Sequence, residues 1–171
     1  MKPKPDTIHV RWLIRRDLDE VLAIDELSHP IAWDEEDDFK NNIRRRNCIG
    51  MVVECNNVVV GFMVYDLHKN RLNILRFAVD PEKRNRGFGS RLVQKLVAKL
   101  SQQRRTELSI SVDISNLTAL EFLKGHGFIA TGIEDDQVAM LFTLPRETEK
   151  KASSEFWAYD PVSEEFVGAI K

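Results

Sequence analysis

Arg84-Asn85-Arg86-Gly87-Phe88-Gly89 lies between a strand-like apolar run and a long amphipathic stretch, and its reading decides the fold. Upstream, Leu72 to Val79 ends at Asp80-Pro81, a turn signal. Downstream, Leu92, Val93, Leu96, Val97 and Leu100 recur at helical spacing. The glycines therefore open a helix. Gly87 and Gly89 are expected to take backbone angles that other residues avoid, and without side chains they let a ligand approach the main chain. The N–H groups of a first helical turn have no intrahelical partner, and the macrodipole makes that end electropositive. Such a cradle suits a pyrophosphate.

Two other glycine loops fit poorly. A Walker loop ends in Gly-Lys-Ser/Thr, whereas Gly89 is followed by Ser90 with no lysine. A dinucleotide fingerprint needs a third glycine, and Gly87-Phe88-Gly89-Ser90-Arg91-Leu92 lacks it. The pattern R-x-x-G-x-G after a strand ending in Val-Asp-Pro resembles motif A of the GNAT N-acetyltransferase superfamily. The likeness continues in Asn116-Leu117-Thr118-Ala119-Leu120-Glu121-Phe122-Leu123-Lys124-Gly125-His126-Gly127-Phe128, similar to that family's next motif. Ile24 to Trp33, with Asp34 and Phe39, is similar to the first helices of the bacterial ribosomal-protein N-terminal-alanine acetyltransferases. The resemblance covers about residues 8 to 144.

Composition agrees with one globular domain. The chain has 171 residues, 43% of them hydrophobic, and a formal net charge of −2, which gives no global attraction to nucleic acid or to an anionic membrane. No run approaches the roughly 18 apolar residues of a membrane helix, and Met1 to Asp6 lacks the apolar centre of a signal peptide, so a cytoplasmic protein is expected. Cys48 and Cys55 stand without a histidine cluster and read as reduced thiols; no metal site is expected.

Thr7 to Ile14 reads as a first strand, and Asp17 with Glu20 as a capping box opening a helix through Ser28, with Leu18, Val21, Leu22 and Asp25 on one face. Asp34 with Asp37 starts a second helix to about Arg46. Asn56-Asn57 joins Ile49–Cys55 to Val58–Asp66 as a hairpin, since asparagine tolerates the positive φ of a tight turn. Glu107 to Ile114 alternates, with Leu108, Ile110, Val112 and Ile114 on the core face. Asn116 caps a helix to about Lys124, and Phe128–Thr131 and Val138–Leu144 supply two final strands. The order β-α-α-β-β-β-α-β-α-β-β matches what the resemblance implies: a GNAT fold of the mixed α/β class, with a mostly antiparallel sheet of about seven strands and about four helices. Residues 1–145 form the domain. Residues 146–171 form an extension whose Phe156, Trp157, Tyr159 and Phe166 point to partial order or docking.

The resemblance implies acetyl-coenzyme A as cosubstrate and transfer of its acetyl group to a primary amine in a direct ternary complex. Arg84, Asn85, Arg86, Gly87, Phe88, Gly89 and Ser90 would hold the pyrophosphate, with Lys83 nearby. Main-chain groups of Phe77 and Val79, left unpaired where the strand splays from its neighbour, would grip pantetheine and polarise the thioester carbonyl. Asn116 would cap its helix and bond pantetheine, and Trp33 would line the acceptor groove beside the acidic run Asp34-Glu35-Glu36-Asp37-Asp38 or staple the helices. In the alanine acetyltransferases a tyrosine acid and a glutamate base occupy positions where this chain has Leu123 and Ser111. Asp113, on the same strand face as Ser111, is the candidate substitute base acting through water; Tyr65 and Tyr159 are the only phenols. His29, His68 and His126 read as isolated. The acceptor implied is a protein N-terminus or a small amine, with no nucleic-acid or membrane partner, on a monomer or homodimer. A non-catalytic acyl-coenzyme A-binding module is the alternative that the missing acid and base leave open.

Overall fold

Asn56 and Asn57 take φ of 53° and 67°, and this left-handed pair turns β2 (Cys48–Cys55) directly into β3 (Val58–Leu67), as the hairpin reading requires. In the computed structural model the described residues are 3–29, 36–146, 157–160 and 165–168. The remaining elements are β1 (Ile8–Trp12), α1 (Leu18–Ser28), α2 (Glu36–Arg44), β4 (Arg71–Val79), α3 (Phe88–Val97), β5 (Glu107–Asp113), α4 (Leu117–Gly125), β6 (Ile129–Glu134) and β7 (Gln137–Thr143). Two further short strands, β8 (Trp157–Asp160) and β9 (Glu165–Gly168), pair only with each other. Seven strands form one sheet in the order β1-β2-β3-β4-β5-β7-β6. The β4–β5 ladder is parallel, while β1–β2, β2–β3, β5–β7 and β6–β7 are antiparallel. The fold class and the order of elements agree with the sequence reading.

The chain divides into two compact units, Met1–Leu67 with Leu75–Lys95, and His68–Ile74 with Leu96–Lys171. In the first, Val21 and Ile24 of α1 pack with Cys48, Val52, Phe62, Val64 and Ala78, and Leu13, Leu18, Leu22, Ile43, Val59 and Leu75 close the cluster. Leu18, Val21 and Leu22 are the members of this cluster that the helical period placed on one face of α1. In the second unit Leu108 and Val112 alternate inward from β5, and Phe128 meets Phe142 with ring centroids 5.7 Å apart. The β4–β5 ladder pairs Arg71–Ile74 with Glu107–Ile110 and ends there.

Three expectations are corrected. Asp17 does not cap α1 with its side chain. Its carboxylate accepts from both terminal nitrogens of Arg11, at 2.7 and 2.8 Å, and from the Ile14 N–H. Arg11 also bonds Glu54 through Nε. A buried carboxylate beside a guanidinium gains more from that charge-assisted pair than from a cap, and Arg11 holds the Asp17 carboxyl below its usual range. Ile114, expected inside, is 42% exposed because β5 ends one residue earlier. The strand expected over Phe128–Thr131 runs on to Glu134 and the last begins one residue earlier, at Gln137: Asp135 and Asp136, with φ of 48° and 61°, make a two-residue hairpin turn between them. Among the described residues no helix is long and apolar enough to cross a membrane.

Candidate functional site

The glycine loop is built by its neighbours. Asp80 leaves β4 with its N–H on the Val60 carbonyl at 2.8 Å, and its side chain accepts from Glu82 N at 3.0 Å, fixing the 3-10 turn Pro81–Lys83. Asn85 and Gly87 then take φ of 61° and 81°. Two left-handed residues flanking Arg86 fold the main chain into a concave turn that leads directly into α3. Gly89 lies inside α3 and has no positive φ, so the expectation that both glycines need special angles holds for Gly87 only; at Gly89 the missing side chain matters for close approach. Arg91 N donates to Gly87 O at 3.0 Å, so the N–H groups of Phe88, Gly89 and Ser90 precede that bond. Phe88 is 2% exposed. Its side chain anchors the helix in the core, and any ligand contact it makes is through its main chain.

Arg84, Asn85 and Arg86 are exposed on this turn. The Arg84 guanidinium reaches back to the Val79 carbonyl at 3.1 Å and to Ser28 Oγ at 3.3 Å. The Val79 carbonyl, expected to be unpaired, is thus occupied, and Arg84 braces the loop against the ends of β4 and α1. Phe77 is half-buried.

One cluster in this unit was not read from the sequence. Asp25 on α1 is 3% exposed, and Arg76 on β4 grips it with Nε on Oδ1 at 2.7 Å and Nη2 on Oδ2 at 2.9 Å. His29 Nδ1 lies 2.8 Å from the same Oδ1. That approach falls outside hydrogen-bond alignment, so the distance describes a close contact. Burial would raise the Asp25 carboxyl, but His29 and Arg76 together hold it below its usual range. His29 is therefore not isolated. The signal was present: Asp25 shares the apolar face of α1, and Arg76 interrupts an apolar strand. A charge at a core position demands a partner.

In the second unit, Asn116 Oδ1 accepts from Ala119 N at 3.1 Å and caps α4 as expected. A ligand contact would then fall to its amide nitrogen. Leu123 is 1% exposed; the position of the relatives' tyrosine is core here. Ser111 is exposed on β5. Asp113 is exposed too, and its carboxylate accepts from both the N–H and the hydroxyl of Ser115, which hold its carboxyl below the usual range. A carboxylate lowered in this way is a weakened base that shapes the turn after β5. Of the other candidates, Tyr65 is 1% exposed, its phenol pushed up to about 12 by desolvation. His126 puts Nδ1 on the Phe122 carbonyl at 2.7 Å and ends α4. Trp33 and Asp34-Glu35 lie outside the described residues, as do 147–156.

Comparison with known proteins supplies the context. The pattern of the acetyltransferase (GNAT) family matches residues 16–128. The [ribosomal protein bS18]-alanine N-acetyltransferase of Salmonella typhimurium is 24% identical over 112 residues, covering 66% of this chain and 74% of that protein. Among solved structures, the ribosomal-protein-S18-alanine N-acetyltransferase of Escherichia coli superposes with a TM-score of 0.72 at 19% identity, over 82% of this chain and 96% of its own. The PaiA N-acetyltransferase of Thermoplasma acidophilum, solved in complex with coenzyme A, gives a TM-score of 0.70 at 16% identity, over 80% and 99% of the two chains.

Proposed function

The chain belongs to the acetyltransferase (GNAT) family, and from that premise we propose that it moves an acetyl group from acetyl-coenzyme A to the α-amine of a protein N-terminus. The observation that carries the cosubstrate is the left-handed pair Asn85 and Gly87 leading into α3. That turn presents main-chain N–H groups and the positive end of a helix dipole where a pyrophosphate needs them. Arg86, exposed, and Lys83, half-buried, supply cations beside it. Phe77 on β4 and Asn116 ahead of α4 are the remaining groups assigned to the cosubstrate.

Transfer proceeds in one ternary complex. The amine must be neutral, the thioester carbonyl polarised and the thiolate protonated. Holding the two reactants in line removes about 7–11 kcal/mol of barrier in well-oriented models, so positioning carries most of the reaction. The α-amine is favoured over a small amine because the bS18-alanine enzyme matches in sequence and its Escherichia coli counterpart matches in fold.

Two measurements test this reading. Gly89→Val should weaken acetyl-coenzyme A binding at least tenfold by calorimetry, which is about 1.4 kcal/mol, with the fold intact. Unchanged affinity in a folded variant would remove the cosubstrate assignment. Turnover rising with peptide length supports a protein acceptor; turnover confined to polyamines or other small amines would replace it.

A further inference from the structure

The start of β4, the loop ahead of β5 and the chain beyond β7 meet within the second unit. His68 N donates to Arg71 O at 3.0 Å, Thr106 N to Asn70 O at 3.1 Å and Leu144 N to Thr106 O at 2.6 Å. Arg105 adds Nε on the His68 carbonyl at 2.6 Å, and Gln102 puts its amide nitrogen on the Pro145 carbonyl at 3.0 Å. This knot gathers Lys69, Arg71, Lys99, Arg104, Arg105 and Arg146, all exposed except the half-buried Arg105. The same segments, 68–71, 99–107 and 143–146, carry one acidic residue, Glu107. Six of the chain's 25 basic residues and one of its 27 acidic ones thus stand together, so the net charge of −2 describes the whole chain and not this face. Among the described residues Lys69, Arg71 and Arg104 form no ion pair. Crowded like charges repel one another, and a bound anion relieves that repulsion.

We propose that this face docks the phosphate backbone of double-stranded RNA. Phosphate contacts act locally, within a Debye length of about 8 Å, so the acidic remainder of the chain does not cancel them. Four of the six cations are arginines, whose planar fork pairs a phosphate through two N–H groups. No Phe, Tyr or Trp lies in the three segments, so the face has no platform for the unstacked bases of a single strand. A duplex keeps its bases stacked and offers regularly spaced phosphates to cations whose backbone is already fixed, whereas a flexible acidic peptide loses its freedom on binding. Leu100 is 8% exposed, and Leu144 and Pro145 are half-buried, which leaves no large apolar side chain here to enter a bilayer. Exposed Asn70 and Gln103 set amide groups among the cations, and amides pair with the 2′-hydroxyls that distinguish RNA from DNA. Lys83, Arg84 and Arg86, the cations assigned to coenzyme A, are not part of this face, so the proposal stands independently of the acetyl-transfer reading.

The test is fluorescence anisotropy of a labelled RNA duplex of about 16 base pairs, long enough to show two successive minor grooves, titrated with the full chain. Four phosphate contacts should lower the affinity about 100-fold between roughly 50 and 200 mM salt. The double variant Arg71→Glu/Arg104→Glu should weaken binding by about tenfold or more and flatten the salt slope by about two, with acetyl-coenzyme A affinity kept within about twofold. If circular dichroism shows the double reversal to be unfolded, Arg71→Gln/Arg104→Gln carries the same test. No anisotropy change at low salt, or an affinity that the folded variant leaves unmoved, overturns the proposal. A DNA duplex of the same sequence bound as tightly, or binding to polyglutamate or to phosphatidylglycerol vesicles while the RNA stays free, gives the face a different partner and overturns it as well.

Discussion

Replacing Asp25 by asparagine tests the buried cluster at constant shape. In the parent both carboxylate oxygens accept from Arg76, at 2.7 and 2.9 Å, and one also meets His29 at 2.8 Å. An amide keeps one acceptor and turns an N–H group toward a guanidinium or an imidazole. Breaking a buried pair by removing one partner costs about 3–5 kcal/mol, and the low end applies because the Arg76 side chain is 18% exposed. At about 2–4 °C per kcal/mol for a chain of this length, about 3 kcal/mol lowers Tm by about 6–12 °C. The sign with pH follows from the depressed carboxyl. Its contribution is complete above the unfolded value of about 3.9 and is lost as pH falls through the lower folded value. Thermal unfolding monitored by circular dichroism should therefore show the largest gap between parent and Asp25→Asn at neutral pH, closing on acidification below about pH 4. Equal Tm at neutral pH, or a gap that widens in acid, would refute the reasoning.

A Cβ at Gly61 would stand 3.0 Å from Val53 Cγ1, 3.1 Å from the Ala78 carbonyl and 3.2 Å from Val79 Cγ2. Gly61→Ala should therefore destabilise by about 1–3 kcal/mol in urea unfolding and raise the KM for acetyl-coenzyme A by displacing the end of β4. Leu123→Tyr puts a phenol where the leucine is 1% exposed; a loss of about 1–3 kcal/mol with no gain in kcat is expected, and faster turnover would show that the position reaches the reacting groups. Asp113→Asn removes an acceptor from Ser115 and should lower thermal stability only slightly, as expected for an exposed group, while kcat changes less than about twofold. A loss of about 100-fold would restore Asp113 as the base.

The elements legible in the sequence were those with a local cause. Asn56-Asn57, the strand alternation of β5, the helical stripe of α3 and the Asn116 cap each follow from preferences of a few neighbouring residues, and each was found. The acidic turn Asp135-Asp136 is equally local in its chemistry, but the strands read from the sequence stop at Thr131 and resume at Val138, which leaves the turn unassigned. What escaped entirely was long-range. Asp25 and Arg76 are 51 positions apart, and Arg11 meets Glu54 across 43; only a strand or helix packed alongside shows which charge answers which. The same limit changed the candidate site. Asp17 was read as a cap because Glu20 follows it, whereas a guanidinium six positions earlier takes its carboxylate. Asp113 was read as a base because it shares the face of Ser111, whereas Ser115 two positions later takes its oxygen.

The most direct test of acetyl transfer to an α-amine is tandem mass spectrometry of the product formed from acetyl-coenzyme A and a peptide bearing both a free alanine N-terminus and an internal lysine. The account predicts that the acetyl group lies on the α-nitrogen and that blocking the N-terminus abolishes thiol release. Acetyl on the lysine side chain, or undiminished release from the blocked peptide, would contradict it.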